Sequence, residues 1–76
     1  MAETDPRVRY LSTLIERIRE DEYPSIAHMD LLEASLPPQL MAPYIGVLLD
    51  KVEEDRHPSL SMLRRIERLC ASMPAN

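Results

Sequence analysis

The chain writes nearly the same seven residues twice, EDEYPSI at 20–26 and EDRHPSL at 54–60, separated by 34 positions. That offset aligns more than the quoted stretch. Tyr10 meets Tyr44, Leu14 meets Leu48 and Ile15 meets Leu49. Glu16-Arg17-Ile18 meets Asp50-Lys51-Val52, and Glu33 meets Glu67. In 76 residues there is room for two such units and no more, so the duplication restricts the fold to a pair of similar supersecondary elements.

Each unit reads as a helix, a proline-led corner and a second helix. Helix 1 is predicted from Pro6, with Thr4 or Asp5 as cap and proline at the first helical position, where its missing N–H would be unpaired anyway. Val8, Leu11, Leu14, Ile15 and Ile18 follow helical spacing, and the helix should stop near Glu22, because Tyr23 precedes a proline. Helix 2 is expected to begin at Pro24 and end before Pro37-Pro38. Its apolar side is Ile26, Met29, Leu32 and Leu36, widened by Leu31.

Helix 3 is expected from residue 41 or 42 to Asp55, with 38–41 as a lead-in turn, because Pro43 is tolerated only within a first turn. Met41, Ile45, Leu48 and Val52 form its stripe, broadened by Tyr44, Val47 and Leu49. Helix 4 should start at Pro58 and point Leu60, Leu63, Ile66, Leu69, Cys70 and Met73 inward. No stretch alternates as a strand would.

The expected fold is therefore all-α: a single domain, 1–76, forming a compact four-helix bundle from two tandem hairpins, about 6–36 and about 41–73. The period resembles that of tetratricopeptide repeats in length alone. The Trp and Leu-Gly of that pattern are absent, and two units fall short of a solenoid. Gly46 aligns with Ser12, so a close crossing of helices 1 and 3 at these small residues is one expectation. The alternative is a glycine that is simply tolerated.

Composition narrows function mainly by exclusion. So short a chain buries only about 60% of the surface its unfolded form exposes, which favours a partner subunit as added support. Cys70 is the sole cysteine, so an intrachain disulfide is impossible, and a reducing compartment fits. There is no apolar run long enough to span a membrane, and MAETDPRVR lacks a signal-peptide core; the expected location is cytoplasmic, with no membrane partner. Net charge is −4, with −4 over residues 1–37 and 0 over 38–76, which opposes general nucleic-acid coating.

The acidic corners invite a calcium reading, but an EF-hand loop needs alternating oxygen ligands, a central glycine and a Glu at position 12, all missing here. Turn chemistry is the better account: the acids precede the N-termini of helices 2 and 4, and Asp21 and Asp55 are candidates to cap them. His28, His57 and Cys70 stand at no metal-ligand spacing, and Cys70 falls on the expected inner stripe, so no metal or other cofactor is expected. Neither a nucleophile–base arrangement nor a phosphate loop is present, so no catalytic residue is assigned.

Two kinds of surface remain. Arg56, Arg64, Arg65 and Arg68 form a candidate interaction surface centred on helix 4, near Lys51. Its plain alternative is a solvated face with Arg64 pairing to Glu67. Met29, Met41, Met62 and Met73 fit an adaptable binding face, or equally a core that lacks Phe and Trp. The leading expectation is a small non-enzymatic interaction or regulatory module, forming a homodimer or binding a larger protein. A helix-turn-helix DNA-binding regulator using helix 4 is the alternative, and a subunit completing another protein's active site ranks below both.

Overall fold

The computed structural model describes residues 5–73, which form four helices: α1 (Pro6–Glu20), α2 (Ile26–Ala34), α3 (Pro38–Glu54) and α4 (Leu60–Ser72). No strand occurs among the described residues, so the chain is all-α as its sequence predicts. It divides between Leu36 and Pro37 into two compact units, each one hairpin: α1 packs on α2, and α3 packs on α4.

The duplicated heptapeptide adopts the same path in both hairpins. At its start, Asp21 (φ −82°, ψ 127°) and Asp55 (φ −89°, ψ 131°) leave the helical region. Each still donates its backbone N–H to the carbonyl four residues back, Arg17 and Lys51, at 3.1 Å. Four residues later Ser25 (φ −63°, ψ 134°) and Ser59 (φ −70°, ψ 147°) open the next helix. Their hydroxyls accept from the N–H groups of His28 (3.3 Å) and Met62 (3.1 Å). Each thereby satisfies one of the four amides that a helix start leaves unpaired.

Those caps correct two expectations. Pro24 and Pro58 do not begin α2 and α4; they stand just outside, directly before the serines that cap them. Asp21 and Asp55 are likewise not the N-caps. The Asp55 carboxylate instead accepts from the His57 backbone N–H at 3.0 Å, closing a tight turn upstream of the cap. At the head of α1, Asp5 is the cap, accepting from the Arg7 N–H at 2.9 Å. The Arg7 guanidinium also donates to both carboxylate oxygens. These hydrogen bonds hold the Asp5 carboxyl below its ordinary value of 3.8.

The start of α3 is a further correction. The helix begins at Pro38, so Pro43 lies inside it, not in its first turn. Proline at that depth withholds the N–H that would bond the Gln39 carbonyl. Both residues are exposed, where water can offset the lost bond. Pro37, the residue before the helix, makes no side-chain cap, and the first turn tightens with the Leu40 N–H donating to Pro37 O at 3.0 Å.

In the first hairpin Leu11, Ile15 and Ile18 of α1 are buried, as are Met29 and Leu32 of α2. In the second, Tyr44, Ile45, Val47 and Leu48 of α3 are buried with Ile66 and Leu69 of α4. The aligned positions do not all share a fate. Tyr44 is 0% exposed and Tyr10 is 53% exposed; Ile15 is buried and its counterpart Leu49 is 38% exposed. Thr13, facing out and donating its hydroxyl to Arg9 O at 2.9 Å, corresponds to buried Val47. A side chain buried as fully as Leu32 or Leu48 contributes about 1.5–3 kcal/mol, so these differences outweigh any one cap.

Three outcomes are expected from equilibrium unfolding. Ser25→Ala and Ser59→Ala should each cost about 1 kcal/mol, matching each other because the caps match. A methyl added at Gly46 would meet no atom within 4 Å, so Gly46→Ala should stabilise by about 0.5–1 kcal/mol through helix propensity. A close crossing with Ser12 would turn that gain into a loss. Because the Asp5 carboxyl is depressed, its cap is intact above pH 3.8 and is lost as pH falls through its lower folded value. The Asp5→Asn variant should lack that acid-side step in helical circular dichroism.

Candidate interaction surface

Helix α4 turns two different faces to its surroundings. With about 100° between successive residues, Arg65, Leu69, Met62 and Ile66 lie together on one side. Arg65, Ile66 and Leu69 are buried and Met62 is half-buried. The inward stripe is therefore Met62–Arg65–Ile66–Leu69, at i, i+3, i+4 and i+7. Ile66 and Leu69 lie inward as expected, but Leu60, Leu63, Cys70 and Met73 do not, and Arg65 and Met62 take their place. Leu60 is 60% exposed, Leu63 42% and Met73 38%, and the Cys70 thiol is also on the outside.

The four arginines of the candidate surface separate accordingly. Arg56 is exposed in the corner before α4, and Arg64 and Arg68 are exposed on the outer side of the helix. Arg65 is 9% exposed, the one charged side chain among the buried described residues. An arginine in that position covers apolar neighbours with its three-carbon stem. It supports the second hairpin from within and adds nothing to a cationic face. The pairing of Arg64 with Glu67 is not formed. Both side chains are exposed and make no ion pair among the described residues.

The methionines divide between core and surface. Met29 is buried, Met41 and Met62 are half-buried, and Met73 is exposed. His28, His57 and Cys70 are all exposed, and no three His, Cys, Asp or Glu side chains gather to hold a metal among the described residues. No helix of the described chain is long and apolar enough to cross a membrane.

Large apolar side chains at the surface are the most distinctive feature. Tyr23 is 77% exposed, Ile26 61%, Leu60 60% and Leu31 53%. Ile26 and Leu60 occupy the same place in the repeat, the first residue after each capping serine. Leu60 and Leu63 were legible as apolar but not as outward. The stripe through Leu69 has the same helical spacing, and Arg65 within it disguises the buried face. No family model matches the chain, and no curated protein or solved structure shows significant similarity to it.

The different roles of the arginines can be measured. Arg65→Ala should lower unfolding free energy by about 1–3 kcal/mol, through the packing its buried side chain loses. Arg64→Ala and Arg68→Ala, at exposed sites, should change it by no more than about 0.5 kcal/mol. Urea titrations of the three variants check this directly.

Proposed function

We propose that this chain is a small non-enzymatic interaction module, acting by docking to a protein partner, either a second copy of itself or a larger protein. The observation that carries the reading is the set of exposed apolar side chains at recurring positions, Ile26 and Leu60 above all. Surface leucines occurring singly are ordinary. Here Leu60 and Leu63 stand one turn apart on one helix, both exposed, with exposed Arg64 and Glu67 in the turn that follows, an apolar patch with polar neighbours suited to a protein interface. The modest core of a 76-residue chain adds a thermodynamic reason, since a partner that binds only the folded form stabilises it by mass action.

The test compares the intact protein with the Leu60→Ser/Leu63→Ser variant, in sedimentation and in affinity capture from a native extract with mass-spectrometric identification. The expected result is a partner of defined stoichiometry, a second copy or one other protein, that the variant loses while keeping its helical spectrum. A wild-type chain that stays monomeric and retains no protein overturns the proposal.

A DNA-binding regulator is the second reading, and Arg56, Arg64 and Arg68 support it as exposed cations in and after one interhelical corner. Against it stand the net charge of −4 and the loss of Arg65 from the outer face. Salt-sensitive retardation of duplex DNA, abolished by Arg64→Glu/Arg68→Glu, is the result that would favour it; absence of any shift removes it.

A further inference from the structure

The outer face of α4 carries an arrangement that is complementary to itself when reversed. On a helix, Cys70, Leu63, Glu67, Leu60, Ala71 and Arg64 fall in that order within an arc of roughly 120°, on the side away from Arg65 and Leu69. All six are exposed. Arg64 and Glu67, near the middle of the helix, are the only charges in this arc, opposite in sign and one turn apart. Neither makes an ion pair among the described residues.

We infer that this face binds the same face of a second copy, with the two α4 helices running antiparallel about a two-fold axis midway between Arg64 and Glu67. This rests on the interaction-module reading and names its partner. The register follows from charge. In the antiparallel arrangement each Arg64 comes level with Glu67 of the other copy, giving two equivalent ion pairs, as an isologous interface requires. Leu60 comes level with Ala71 of the other copy, and the two Leu63 side chains lie on the same side of the seam. A parallel pairing would set Arg64 against Arg64 and Glu67 against Glu67, like charges facing along an apolar seam.

Two quantitative consequences follow. A single 13-residue helix offers less than the roughly 1,200–2,000 Å² buried in stable complexes, so the dimer is weak and dissociates on dilution. At 1.5 Å rise per residue, the two Cys70 positions are offset along the axis by about 13 Å. A disulfide needs Cα atoms within about 7 Å, so the cysteines are out of register for a crosslink.

Sedimentation equilibrium of the full chain, from about 10 µM to about 1 mM, a range chosen for so small an interface, is the test. The wild type should show a reversible monomer–dimer equilibrium. Arg64→Glu or Glu67→Arg alone should each weaken it by about tenfold, because attraction becomes repulsion in both equivalent pairs. The double variant Arg64→Glu/Glu67→Arg should restore it to within about threefold, since reversed pairs are again complementary. All three variants change only exposed positions, and unchanged helical circular dichroism checks that folding is intact. A monomer at every concentration overturns the inference, and so does a dimer indifferent to the single reversals or not rescued by the double. Rapid oxidation to a Cys70-linked dimer overturns the antiparallel register. If the chain stays monomeric yet captures another protein, this inference fails while the interaction-module reading stands.

Discussion

A helix that ends and restarts within five residues must satisfy its last carbonyls and its first amides almost at once, and both hairpins depend on that constraint being met. The duplicated heptapeptide meets it the same way twice. An aspartate in extended conformation closes the first helix by its own N–H, proline keeps the chain extended, and a serine hydroxyl takes up an amide of the next helix. Each corner delivers the second helix back along the first, so apolar stripes only a few residues long can bury one another. The acids that resembled an ion-binding loop have this local role.

What the corners do not decide is which face each helix turns inward. The two hairpins share their corners and differ in their cores: Tyr10 and Thr13 lie outside where Tyr44 and Val47 lie inside. The difference follows from the broader apolar surface of α3, which leaves more than one way to bury it, whereas in α1 the arginines and Thr13 leave a single face without polar cost. On α4 a similar choice exists, and burial of Arg65 by its stem directs Leu60 and Leu63 outward.

That choice gives the surface its character. A core that held Leu60 and Leu63 would turn Arg65 outward beside Arg68, nearer to the face a DNA-binding helix would want. With the helix turned as it is, leucines and two opposite charges share the outside, and the cationic set is reduced to Arg56, Arg64 and Arg68. The geometry proposed for a second copy, and the part of Leu60 and Leu63 in the interaction reading, follow from the rotation of one helix about its axis.

The helix count, the two-hairpin plan and the Asp5–Pro6 start of α1 were legible in the residues, because capping, proline geometry and helical spacing act over a few positions. The buried stripe of α1 was legible for the same reason: it has one apolar face. The starts of α2 and α4 were misread by two residues, since proline and serine are both start signals and only the hydroxyl bond shows which one caps. The start of α3 was misread because whether a helix continues through Pro43 depends on the exposure of the carbonyl it leaves unpaired. The outward leucines and the inward Arg65 could not be read locally at all. Two stripes of equal periodicity compete on α4, and the tertiary packing of α3 against it decided between them.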